Sequence, residues 1–114
     1  MTSSALPLDF QRLEQLYAAG LHDSYIDTAL RKIIARQIER DEADLAQLDQ
    51  WLAQYEAQYS MKSEVFWSRF KNGKSEDTAD SMEWNALCRS RERLLARLDL
   101  LRGKNRRRED APEA

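Results

Sequence analysis

Ser24 to Tyr59 read SYIDTALRKIIARQIERDEADLAQLDQWLAQYEAQY, a run without glycine or proline. Leu30, Ile34, Ile38, Asp41, Leu45, Leu48, Leu52, Tyr55 and Tyr59 recur in it at steps of four and three, which places one stripe along a single long helix for nearly four heptads. The stripe is apolar except at Asp41. Ser24 with Asp27 three residues on resembles a capping box, so the helix is expected to start near Asp23 or Ser24. Working outward, a second stripe begins around Thr78 and runs Trp84, Leu87, Arg91, Leu94, Leu98 and Leu101 at the same steps. Its exception is Arg91. Between the two, Ser63 followed by Glu64 is expected to cap a short helix carrying Val65, Phe66, Trp67 and Phe70, closed by Asn72-Gly73. Upstream, Asp9 is expected to cap a helix with Phe10, Leu13, Leu16 and Tyr17 on one face, stopped by Gly20.

The expected fold is therefore all-α: a long antiparallel helical hairpin with a short helical corner and a short N-terminal helix. Residues 1–8 read as a flexible lead, or as a very short edge strand through the alternation of Leu6, Leu8 and Phe10 around Pro7. Residues 9–102 read as a single helical domain and 103–114 as a disordered charged tail. The length of 114 residues leaves room for one modest core, and 33% charged residues require most of the surface to be solvated helix face. No run approaches the roughly 20 apolar residues of a membrane span, and the first eight residues lack a secretory pattern, so a cytoplasmic location is expected.

An antiparallel hairpin can bring the two polar interruptions together, which makes Asp41 and Arg91 a candidate structural pair; the alternative leaves each at the seam edge with water or a nearer charge. If buried, such a pair fixes register more than it stabilises, because both charges lose water. The carboxylates of Glu39, Asp41, Glu42, Asp44 and of Glu76, Asp77, Asp80, Glu83 are interleaved with arginines and read as solvated faces. His22 has no Glu three residues before it to form a bundle metal motif, and reads as a loop or cap residue. Cys88, the single cysteine, reads as a small buried side chain. Without a phosphate-binding glycine loop or a nucleophile elbow, neither an enzyme nor a bound cofactor is expected.

Seven of the ten aromatic residues lie between Trp51 and Trp84, enough to build the hairpin corner. Trp67 stands about 100° round its helix from the face of Phe66 and Phe70, which marks it as an exposed interface anchor. Residues 1–101 carry 13 basic and 17 acidic side chains, whereas Arg102, Lys104, Arg106, Arg107 and Arg108 crowd the start of the tail. That run either complements the negative end of the last helix or touches nucleic-acid phosphate, with Arg106, Arg107 and Arg108 as the contacts.

The string YSMKSEVFWSRFKNGKSEDTADSMEWNALCRSRERLLARLDLL, from Tyr59 to Leu101, resembles small helical antitoxin-like proteins encoded in bacterial and archaeal toxin–antitoxin pairs. The shared pattern comprises Tyr59, Met61, Ser63, Glu64, Phe66, Arg69, Phe70, Gly73, Asp77, Asp80, Glu83, Trp84 and Leu87, and covers a little over a third of the chain. FQRLEQLYAAGLHDSYIDTALRKI, upstream, faintly resembles the two helices of ribbon-helix-helix repressors, with Pro7 standing where their dimer-forming strand lies. The resemblance implies a protein that neutralises a small toxic partner encoded nearby, with autoregulatory DNA binding as an added role. Exposure and charge nominate Trp51 and Trp67 as anchors, and Glu76, Asp77 and Asp80 as acidic contacts. A thin core makes a homodimer the expected state, and a stand-alone helical homo-oligomer acting as scaffold or adaptor is the competing reading.

Overall fold

The computed structural model describes residues 7–104. Four helices follow in order, α1 (Leu8–Ala18), α2 (Ser24–Tyr59), α3 (Ser63–Lys71) and α4 (Ala79–Leu101), with no strand among the described residues. The all-α expectation holds. By its contacts the chain divides into two compact units, Met1–Ala35 and Arg36–Ala114, where a single domain over 9–102 was expected. The boundary falls inside α2.

In the first unit, Leu8 already belongs to α1, and Pro7 rather than Asp9 is the N-cap. Pro7 suits the site because its carbonyl accepts from the Gln11 amide at 3.0 Å and its missing N–H has no role there. Asp9 sits in the first turn, where its charge complements the helix dipole. Gly20, at φ 81°, closes α1 with the Leu21 amide reaching back to the Leu16 carbonyl at 3.1 Å. Asp23, not Ser24, caps α2 by accepting from the Tyr25 amide at 2.8 Å. Asp27 is consequently free to accept from the Tyr17 hydroxyl, a bond that pushes that phenol's pKa up to about 12. No residue of α1 is buried.

In the second unit, α2 from Arg36 onward and α4 run antiparallel. Tyr59 bonds Asp80, Tyr55 stacks on Trp84, Asp49 pairs with Arg91, and Asp41 with Arg97, so α4 numbers rise as α2 numbers fall. One core cluster lies at the corner, where Leu52, Phe66, Trp84 and Cys88 are buried and Tyr55, Met61, Trp67, Phe70 and Leu87 pack around them. Leu48, Leu94 and Leu98 continue the buried seam toward the open end. Two stripes at steps of four and three thus meet as the coiled-coil rule requires.

Ser60 ends α2 with φ 51°, in the left-handed region that costs a non-glycine residue roughly 1–2 kcal/mol. Ser60→Gly is therefore expected to raise stability by up to about 1 kcal/mol, after subtracting the freedom glycine adds to the unfolded chain. A urea titration that shows no rise in midpoint would reject the strain.

Candidate functional site

The corner is built by capping groups that reach across helices. Lys62 is the N-cap of α3, and its ammonium, a donor only, accepts no cap hydrogen bond; Ser63, expected as the cap, is instead the first helical residue. Its amide is satisfied by the Glu56 carboxylate of α2 at 2.9 Å, and hydrogen bonds from Ser63 hold the Glu56 pKa below its ordinary value. The Ser63 hydroxyl in turn accepts from the Trp84 indole N–H at 3.0 Å. Thr78 caps α4 through a reciprocal pair with Ser81, at 3.0 and 2.9 Å. Lys74 N–H returns to the Arg69 carbonyl at 2.8 Å, closing α3 after Gly73. Three helices are thereby tied around Trp84.

Trp84 is only 2% exposed and lies flat on Phe66, with ring centres 4.0 Å apart and planes 2° from parallel. Tyr55 and Tyr59 stack on it at 5.5 and 5.7 Å. Burial, with Glu83 nearby, pushes the Tyr55 hydroxyl up to about 12, and the bond to Asp80 raises that of Tyr59. Above this floor opens a cavity of about 660 Å³ between the end of α2, α3 and the start of α4. Tyr59, Met61, Phe66 and Trp84 give it apolar walls; Arg69 and Lys74 supply cations, and Glu76 and Asp80 supply carboxylates. Such a mixture recognises an amphipathic side chain with a polar head.

The nominated residues do not form one surface. Glu76 and Asp80 border the corner cavity, and exposed Asp77 lies in the loop before α4. Trp51, 45% exposed, lies on a separate groove with Leu48, Leu94, Arg93 and Arg97. Trp67 corrects its expected exposure: it is half-buried against the core, its indole N–H donates to Asn85 at 2.9 Å, and Lys71 sits 4.0 Å above the ring. Its second face is covered because α3 lies against α4 as well as under the corner. Trp67→Ala is therefore expected to lower stability, since it removes a packed ring and leaves Asn85 unpaired; a midpoint equal to that of the parent protein would restore Trp67 as an exposed anchor.

The Asp41–Arg91 pair is also corrected. Asp41, 0% exposed, accepts from Arg97 at 2.8 and 2.7 Å and from Gln37 at 2.9 Å, while Arg91 reaches outward to Asp49 at 2.7 Å. The fork of Arg97 satisfies both carboxylate oxygens, which lowers the Asp41 pKa below its ordinary value. Arg102 pairs with Glu42 beyond it. Arg97 escaped the sequence reading because it flanks the seam beside Leu98, and a long side chain can send its head group inward from there.

Cys88 is buried on the corner floor, and burial pushes its thiol up to about 11. His22 is exposed, with its ring edge-on to Tyr17 at 5.0 Å. Among the described residues no group of three His, Cys, Asp or Glu side chains is placed to hold a metal ion, and no helix is long and apolar enough to cross a membrane. Arg106, Arg107 and Arg108 lie outside the described residues. Comparison with protein-family models, curated proteins and solved structures finds no match to this chain.

Proposed function

We propose that the chain is an antitoxin-like protein-interaction module that binds and neutralises a small toxic partner in the cytoplasm, with the corner cavity as its contact. The observation that carries this reading is that Tyr59, Met61, Phe66, Arg69, Asp80 and Trp84, all from the segment that resembles antitoxins, converge on one open cavity. An aromatic floor gives affinity on a surface of this kind, and a mixed-charge rim gives selectivity. The test is affinity capture of the full chain from its native cells, followed by expression of any small stoichiometric protein encoded beside it. The partner is expected to arrest growth alone and to lose roughly tenfold or more in affinity for a Glu76→Lys, Arg69→Glu variant. Capture of nothing but copies of the chain would overturn the proposal.

A second reading, a homo-oligomeric scaffold or adaptor, is favoured by the first unit. Leu8, Phe10, Leu21, Tyr25, Ile33 and Ile34 are all exposed there, Tyr25 by 79%. Autoregulatory DNA binding would add a third property through Arg106 to Arg108. It predicts a fall of about 0.9 log units in DNA affinity per log unit of salt for each phosphate contacted.

A further inference from the structure

α2 carries a second stripe beside the one that contains Asp41, Leu48 and Leu52. Ile33, Gln37, Arg40, Asp44, Gln47 and Trp51 recur at steps of four and three, each one position before a residue of that first stripe. One residue turns a helix by about 100°, so the second stripe looks out along the flank of the hairpin. Because α2 is a single helix from Ser24 to Tyr59, these positions share one face over about 27 Å. Ile33 is 64% exposed and Trp51 45%. Among the described residues no ion pair involves Arg40 or Asp44, although their spacing of four permits one within the helix. Beside Asp44, Gln47 and Trp51 a groove of about 460 Å³ opens over the buried Leu48 and Leu94.

The residue types along this stripe are complementary to themselves when the helix is reversed. Position 42 is the midpoint: Arg40 and Asp44 stand two residues to either side of it, Gln37 and Gln47 five, and Ile33 and Trp51 nine. When two such helices lie antiparallel about a two-fold axis at the midpoint, residues equally distant from it meet, and every meeting occurs twice. Arg40 then faces Asp44 of the second copy, Gln37 faces its Gln47, and Ile33 faces its Trp51. Cation meets carboxylate, amide meets amide, and an aliphatic side chain meets an indole at the mouth of an apolar groove. A parallel pair would instead set Arg40 on Arg40 and Asp44 on Asp44, which like charges oppose. This complementarity is a property of the chain toward itself, and it names a second copy as the occupant of the face.

We propose that this stripe is an antiparallel dimer interface between the α2 helices of two copies, with Ile33 of each copy packed on Trp51 of the other. The two indole contacts supply the affinity. The two charge pairs, open to solvent, add little energy and fix the register. The inference is independent of the partner proposed above, because none of these residues lines the corner cavity.

The test is sedimentation equilibrium of the full chain over a concentration series, where a monomer–dimer equilibrium is expected. Trp51→Ala should weaken the dimer roughly tenfold or more. Arg40→Asp puts a second carboxylate opposite Asp44, and Asp44→Arg puts a second guanidinium opposite Arg40; each is expected to weaken the dimer roughly tenfold. The double variant Arg40→Asp, Asp44→Arg restores both pairs with their signs exchanged, and should return to within about threefold of the parent. An equimolar mixture of the two single variants should form a heterodimer, since the copy with two carboxylates then meets the copy with two guanidinium groups. Circular dichroism of each variant checks that the helices are kept. A parent chain that stays monomeric overturns the proposal. So does self-association indifferent to Trp51→Ala, which would place it on another surface. A double variant as weak as the singles, or single variants that do not combine, would reject the antiparallel register.

Discussion

Replacing Trp84 by alanine is expected to cost about 3–5 kcal/mol, the range for emptying a well-packed aromatic site in a core that cannot collapse. For a domain whose whole stability is of the order of 5–15 kcal/mol, that leaves the corner marginal or unfolded at room temperature. The size of the effect follows from how many elements share this ring. Trp84 is 2% exposed, lies on Phe66 of α3, supports Tyr55 and Tyr59 of α2, and donates to the Ser63 hydroxyl. Leu52 and Cys88 belong to the same buried cluster and lose a neighbour with it. Trp84→Phe separates the contributions, since it keeps a ring on the stack but leaves the Ser63 hydroxyl without its donor, at about 1–3 kcal/mol. Trp51→Ala is the control. With Trp51 45% exposed and outside the corner cluster, its loss is expected to be about 1 kcal/mol or less. The check is urea unfolding followed by far-ultraviolet circular dichroism. An alanine variant at Trp84 no less stable than the one at Trp51 would remove the corner from its place as the centre of the fold.

The parts of this fold that were legible in the sequence are those set by local periodicity. Steps of four and three over 30–59 and 84–101 gave the two long helices and, from Ile38 onward, their facing seams, whereas Ile34 is exposed; the glycines at 20, 73 and 103 all end helices in left-handed turns. The corner was legible too, through the density of aromatic residues from Trp51 to Trp84. What stayed hidden depends on groups brought together from distant parts of the chain. Glu56 caps α3 from another helix, so no pattern around Ser63 could show it. Trp67 looked exposed because a helical wheel allots a short helix one buried face, whereas a helix set into a corner is covered on two. Asp41 was recognised as an interruption of the seam, but its partner was not, since a stripe locates Cα positions and a guanidinium lies some 6 Å away from its own Cα, in whichever direction the stem turns. Asp23 took the capping role expected of Ser24 because its carboxylate reaches the Tyr25 amide directly.

Removing Arg97 is expected to damage the protein more than removing both members of its pair. In Arg97→Leu the Asp41 carboxylate remains covered at 0% exposure with only Gln37 to satisfy it, whereas Asp41→Leu, Arg97→Leu replaces the pair by apolar surface that continues the seam through Leu45 and Leu48. The double variant should therefore unfold at a higher urea concentration than Arg97→Leu, and a cycle of the four proteins measures the coupling. Asp41→Leu alone is expected to fold, because Arg97 is half-exposed and can turn to water. It is also expected to change the oligomeric state, since a seam without a polar position no longer specifies register; an unchanged mass by light scattering would reject that role. The pH dependence tests the same carboxylate. Its pKa is lower in the folded chain than in the unfolded one, chiefly through the Arg97 hydrogen bonds. The stability it contributes is thus fully present above the unfolded value of about 3.9, and is lost as pH falls through the lower folded value. Asp41→Asn should flatten the acid limb of stability below about pH 4, while Glu56, lowered by Ser63, keeps part of the slope. A limb as steep in Asp41→Asn as in the parent would mean that Arg97 holds Asp41 by geometry alone, with no preference for the charged form.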